Sequence, residues 1–203
     1  MKDWFDNIQL EGNKVLLEPL DMSHKNALLR AASDGKLWEL WFTSVPSEET
    51  IDSYIENALI EKLNGKGFPF VVVEKSTGTI IGSTRYCNAT PEHRRLEIGY
   101  TWYAKTYQRT GINTECKYLL LNHAFEKLRC IAVKFRTHWH NIRSREAIAR
   151  LGAKQDGVLR NHKISTDGSY RDTVVFSITD QEWKAVETAL KYEIRKRKDN
   201  QKE

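Results

Sequence analysis

No stretch of this 203-residue chain approaches the roughly 20 consecutive apolar residues of a membrane-spanning helix, which excludes that class. There is no C-x-x-C pair. The three cysteines, Cys87, Cys116 and Cys130, are odd in number and irregularly spaced, and the first residues carry no signal-peptide pattern. That predicts free thiols in a reducing compartment, hence a cytoplasmic protein. Internal repeats and low-complexity linkers are absent, so the expectation is one domain over residues 1–203. It would have an N-terminal arm (1–12) and a C-terminal helix with a basic tail (181–203). A nucleoside-triphosphatase P-loop is excluded because no G-x-x-x-x-G-K-[ST] occurs, and G-x-G-x-x-G is missing too. His138 and His140 alternate on one strand face, but no third ligand has suitable spacing, which argues against a metal. No aromatic-basic motif of a nucleic-acid module appears, and the basic residues are scattered, which argues against nucleic acid.

What is present is ordinary in bulk and unusual in its aromatics. Hydrophobic residues make up 40% and charged residues 29%, with six Trp and eight Tyr available for core and pocket walls. The net charge of +5 suits a small polyanionic ligand. The densest basic run, Arg195-Lys196-Arg197-Lys198, reads as the solvated end of a helix.

Periodicity lays out the chain as strand, two helices, three strands, helix, strand, helix, two strands. The first strand spans Lys14 to Leu20, and Ser23 is placed to cap a helix through Arg30. An aromatic stretch, Leu37 to Phe42, precedes a helix capped by Ser47, with Ile51, Tyr54, Ile55, Ala58 and Leu59 at helical spacing. Phe68–Glu74 and Thr79–Tyr86 read as a hairpin around Thr77-Gly78. In the third of these strands, Arg95–Tyr103, strict alternation puts Leu96, Ile98, Tyr100 and Trp102 on one face and Glu97, Gly99, Thr101 and Tyr103 on the other. A helix from Ile112 to Leu128 leads to a strand at Ile131–Thr137. Those two strands should run parallel. A short helix (144–151), a strand pair around Asp167-Gly168, and a last helix capped by Asp180 complete the chain.

The stretch Tyr107 to Glu115 joins strand to helix through a polar loop with one glycine. Unpaired N–H groups at a helix start, together with the helix dipole, form an anion site. Its residues, Gln108-x-x-Gly111-x-Asn113, resemble the pyrophosphate loop of the GCN5-related N-acetyltransferases, the GNAT superfamily. Asn141-x-x-Ser144 followed by Leu151-Gly152-Ala153, Glu97-Ile98-Gly99-Tyr100 before the loop, and Asp156 to Arg160 with Gly168, Asp172 and Trp183 extend the resemblance over roughly residues 14–185. Within the superfamily the pattern is similar to the branch of ribosomal-protein-alanine N-acetyltransferases. Asn113 departs from the small residue usual in the loop, Ala153 from a Phe, and Ile148 from a Tyr that serves many members as acid.

The resemblance implies an α+β fold: a mixed, mostly antiparallel sheet of six to seven strands flanked by helices and splayed between the fourth and fifth strands. It implies acetyl transfer from acetyl-CoA to a primary amine, either a protein N-terminus or a small molecule, by direct attack. Cosubstrate contacts fall on Gln108, Arg109, Thr110, Gly111, Ile112, Asn113 and Thr114, with strand N–H groups near Trp102 and Tyr103 facing the carbonyl and Asn141 and Ser144 along the pantetheine. Ser144 is the candidate for the thiolate end in place of the missing Tyr. Glu97, a carboxylate inside a central strand, is the candidate base, the competing reading being an ion pair with Arg85 or Arg95. Trp38, Trp41 and Phe42, with Glu97, would line the acceptor side. Cys116 falls on the apolar helix stripe, where a thiol is inert. A non-catalytic acyl-CoA-binding protein of the same fold is the alternative, and a homodimer is left open.

Overall fold

Apolar runs pair into one eight-stranded sheet among the described residues, which in this computed structural model are 4–165 and 167–199. The ends of the expected arm and tail, residues 1–3 and 200–203, lie outside that range. The strands are β1 (Leu10–Glu11), β2 (Val15–Pro19), β3 (Phe68–Glu74), β4 (Thr79–Thr90), β5 (Arg95–Tyr103), β6 (Ala132–His138), β7 (Lys154–Ile164) and β8 (Tyr170–Thr179). Their spatial order is β1-β2-β3-β4-β5-β6-β8-β7. Every pairing is antiparallel except β5 with β6, which the intervening crossover helix makes parallel.

Helices cover both faces. On one side α1 (Lys25–Ser33) and α2 (Ile51–Leu63) bury Leu28, Ile51 and Ile55 against Val71, Val73 and Trp102. On the other, α3 (Ile112–Asn122) and α5 (Asp180–Asp199) bury Cys116, Leu120, Trp183 and Leu190 against Phe70, Leu96, Ile98 and Phe176. α3 ends in a π-helical turn at His123–Lys127, and α4 (Ile142–Arg150) follows β6. Burial on both faces explains why β3 reads as an unbroken apolar run rather than an alternating one.

The structure corrects several local expectations. The N-terminal arm contributes β1, which pairs with β2. The turn between them is tied to α3 by the buried Glu115 carboxylate, which accepts from the N–H groups of Asn13 (2.5 Å) and Lys14 (3.1 Å). Ser23 is not a helix cap. Asp21 caps a short 3₁₀ turn there by accepting from Ser23 N at 2.7 Å. Ser47 does not cap α2 either; Thr50 holds that position, and its hydroxyl accepts from Ser47 N at 2.8 Å.

The alternation assigned to β5 also fails, and for an instructive reason. Ser83 pairs with Trp102 and Arg85 with Gly99, so Thr84 alone opposes two residues, Tyr100 and Thr101. Tyr100 has φ +50°. This is a β-bulge, and it reverses the facing of every residue beyond it. Leu96, Ile98 and Tyr103 belong to the α3 side, whereas Trp102 packs on the α1–α2 side. Gly82 fits the close approach that follows: a Cβ there would lie 2.1 Å from the Trp102 carbonyl oxygen.

β5 and β6 register over only three pairs, Arg95 with Ala132, Leu96 with Val133 and Glu97 with Lys134. Beyond Glu97 the strands part, β5 staying with β4 and β6 with β8. The splay expected between the fourth and fifth strands of the sequence reading lies at this fork.

Candidate active site

The loop that leaves β5 is held from both ends. Gln108 Nε2 donates to the Tyr103 carbonyl at 3.0 Å, and the Thr110 hydroxyl donates to the Tyr107 carbonyl at 2.7 Å. Arg109 (φ +65°) and Gly111 (φ +94°) are both left-handed, and Gly111 stands at the N-cap of α3 with no side-chain cap. The first α3 N–H taken within the helix is that of Glu115, by the Gly111 carbonyl at 3.2 Å. The N–H groups just before it are therefore the unpaired donors of a helix start, a place that favours an anion. Arg197 from the last turn of α5 packs here, 3.0 Å from where a Gly111 Cβ would sit. Arg197, in the basic run read as a solvated helix end, thus reaches this loop.

The fork lies between this loop and Glu97. The bulge leaves an extra residue in β5 along the wall of the fork, so backbone polar groups near Tyr100 to Trp102 are not all committed to β4. On the opposite wall, Asn141 caps α4, its side-chain oxygen accepting from Ser144 N at 3.1 Å. Ser144 is half-buried in the first turn. Ile148 is buried in the core, so no side chain there can act as an acid.

Glu97 is 7% exposed and lies on the α1–α2 side of the sheet, the same side as Trp102. The bulge, unforeseen in the sequence, brings them to one face. The partners expected for Glu97 were Arg85 or Arg95. Instead the carboxylate meets Arg136 Nε at 3.2 Å and Asn88 Nδ2 at 3.1 Å. Arg136 lies on β6 just past the fork, so this ion pair joins the two diverging strands. Arg85 is buried between the rings of Tyr54 and Tyr100, each 4.3 Å away, and Trp102 Nε1 donates to Tyr54 Oη at 3.1 Å.

The aromatic stretch between α1 and α2 reaches the far wall of this face. Trp41 is 65% exposed, yet its ring meets His138 edge-on at 4.9 Å and lies 5.8 Å from His140. Phe42 packs beside it at 5.6 Å, and Trp38 is partly exposed in the same segment. His138 Nδ1 accepts from His140 N at 3.0 Å. Burial, then the charges of Arg171 and His140, holds its pKa below the ordinary value. Among the described residues no group of three or more His, Cys, Asp or Glu side chains comes together to hold a metal. The Cys116 thiol is fully buried, and desolvation pushes its pKa to about 12, consistent with the inert role read from its position.

Sequence reasoning missed Lys117, because a lysine on an amphipathic helix reads as solvent-facing. It is 4% exposed, and no carboxylate pairs with it among the described residues. Its ammonium donates to the Thr101 hydroxyl at 2.5 Å and the Thr84 hydroxyl at 3.4 Å, the two threonines of the bulge. Those hydroxyls also bond each other at 2.7 Å. Desolvation lowers the Lys117 pKa from 10.5 to about 8. Between those two values the unfolded chain carries a proton at Lys117 that the folded chain does not, so stability rises with pH through that window. Below it, the burial penalty of the charge is fully present. Lys117→Met is accordingly expected to be more stable than wild type at pH 7 by on the order of 3 kcal/mol, the gap closing between about pH 8 and 10.5. Urea unfolding of both proteins across that range checks it; a gap independent of pH would contradict a buried, titrating ammonium.

A family model described as an acetyltransferase (GNAT) domain matches residues 14–154. The Bacillus subtilis (strain 168) protein YdaF, provisionally named a ribosomal N-acetyltransferase, is 31% identical over 106 residues, spanning 52% of this chain and 57% of that relative. A GCN5-related N-acetyltransferase from Brucella melitensis superposes with TM-score 0.81 at 25% identity, covering 92% of this chain and 85% of that one. RimL, the ribosomal L7/L12 alpha-N-protein acetyltransferase solved in complex with coenzyme A, shares the fold with TM-score 0.72 at 16% identity, over 85% of this chain and 98% of that one. No helix among the described residues is long and apolar enough to cross a membrane.

Proposed function

The chain belongs to the GNAT acetyltransferase family and uses acetyl-CoA as its cosubstrate; from that premise we propose that it transfers the acetyl group to a primary amine, foremost the α-amine of a protein N-terminus. The observation that carries the reading is the fork. Beyond Glu97, β5 and β6 present two diverging backbone edges, with an anion-binding loop at one end and a buried carboxylate at the apex.

The N–H groups of Arg109 to Thr114 take the pyrophosphate, with Arg197 placed to add charge from α5. Pantetheine runs along the fork past Asn141 and Ser144. Backbone N–H groups around the bulge, near Trp102 and Tyr103, hold the thioester oxygen as negative charge develops on it. The amine enters from the α1–α2 side, past Trp38, Trp41 and Phe42. Glu97 takes its proton, directly or through a water, the nitrogen bonds to the acetyl carbon, and the carbon–sulfur bond breaks. Ser144 donates to the departing thiolate. The preference for a protein amine is supported by the names of relatives in the ribosomal branch.

Thiol release from acetyl-CoA, measured with a panel of N-terminal peptides and small amines, tests this reading. Turnover that requires an amine supports it. Acetyl-CoA binding without thiol release on any amine would instead favour the non-catalytic alternative.

A further inference from the structure

Positive charge on the Glu97 side of the fork exceeds what its own carboxylates balance. Arg136 is met by Glu97 at 3.2 Å, and Arg85 by Glu61 at 4.0 Å. Arg171, near the start of β8, has no carboxylate within ion-pair distance among the described residues. Its neighbour Asp172 is engaged elsewhere, by Arg160 Nε at 2.6 Å and Asn161 N at 2.8 Å. Arg171 is half-buried, and its Nε is buried with no hydrogen-bond acceptor; the same holds for Nε of the 3%-exposed Arg85. Both guanidiniums bear on Tyr100, the bulge residue: Arg85 stacks on its ring at 4.3 Å, and Arg171 is within electrostatic reach of its hydroxyl. The histidines on this wall add no negative charge. Burial lowers the pKa of His138 and His162, with Arg171 among the further causes for both.

A buried guanidinium donor without an acceptor costs stability that a bound carboxylate returns, and the planar fork of arginine suits a carboxylate better than any other side chain does. The geometry points to an anion subsite in the acceptor cleft, centred on Arg171 on the Tyr100 side, that takes a carboxylate carried by the acceptor close to its reacting amine. This deepens the proposed function and rests on its assignment of the Glu97 side to the acceptor. The carboxylate has two sources of the same chemistry: the α-carboxylate of a small amino acid, or an acidic side chain close behind a protein N-terminus.

Two matched acceptor pairs separate them, with acetyl-CoA held saturating. One is an amino acid and its carboxamide. The other is a short C-terminally amidated peptide with Asp or Glu at its second or third position, against the Asn or Gln version. In at least one pair the carboxylate form is expected to have a kcat/KM higher by about tenfold or more, expressed mainly in KM. Preference in the first pair alone assigns a small amino acid, and in the second alone an acidic N-terminal segment. Arg171→Gln is expected to bring the preferred ratio close to one. Arg171→Lys covers the case in which glutamine prevents folding: charge is kept and the planar fork lost, so KM for the carboxylate form rises and the preference is only partly lost. A ratio near one in both pairs for the wild type, or a ratio unchanged in the folded Arg171 variants, overturns the subsite while transfer stands. No turnover of any pair member, with acetyl-CoA bound, overturns the transferase reading and the subsite with it.

Discussion

Glu97→Gln is expected to lower kcat/KM for amine acetylation by about 10²- to 10⁴-fold, the range for loss of a general base, while acetyl-CoA affinity stays within about twofold. Glutamine keeps the shape and can still accept from Asn88, so the substitution removes chiefly the charge and the proton acceptor. The competing account is structural. Glu97 and Arg136 join β5 to β6 at the point where they part, and losing that pair could open the fork. Arg136→Gln separates the two accounts, because it deletes the same ion pair and keeps the carboxylate. A catalytic Glu97 predicts a far smaller loss for Arg136→Gln than for Glu97→Gln. Equal losses, accompanied by equal falls in Tm, would assign the pair to holding the fork and remove Glu97 from the proton transfer.

The second large effect is expected at Gly111. Its φ of +94° is one that a β-branched residue does not adopt without strain, and a Cβ would press on Arg197 Cδ at 3.0 Å. Gly111→Val should distort the loop and displace the α5 tail together. We expect the Kd for acetyl-CoA to rise by about 10- to 100-fold, the equivalent of about 1–3 kcal/mol of backbone strain, with kcat at saturation changed much less. Calorimetric titration with coenzyme A reads the affinity directly. An unchanged Kd in a folded variant would mean that the pyrophosphate is held elsewhere.

The loop at 107–115 was legible in the sequence because its signals are local: a strand, a polar turn with one glycine, and an apolar stripe at helical spacing. The order of elements and the parallel placing of β5 and β6 followed from the same patterns. What could not be read depends on register. The bulge at Tyr100 inserts no characteristic residue of its own, only a Gly99 beside it, so strict alternation was the natural reading and put Trp102 on the wrong face relative to Glu97. The partner of Glu97 was sought on neighbouring positions, Arg85 and Arg95, whereas Arg136 arrives from β6, two positions beyond the last parallel pair at Lys134. Lys117 was invisible for a different reason: nothing in helical periodicity marks a charged residue whose face is turned against two threonines of a bulge. Trp41 reaching His138 is likewise a tertiary fact, since the segment carrying it has only one short 3₁₀ turn, at Leu37–Glu39, to declare it. The residues that the family resemblance singles out were legible from spacing, whereas the contacts that Glu97 and Trp41 make belong to packing.

A crystal structure with coenzyme A bound tests the central claim most directly. The account predicts the pyrophosphate at hydrogen-bond distance (~3 Å) from the N–H groups of Arg109 to Thr114, the pantetheine between β5 and β6, and the sulfur near the β5 bulge at Tyr100 to Trp102. Coenzyme A lying outside the fork, with the β5 and β6 edges untouched, would contradict it.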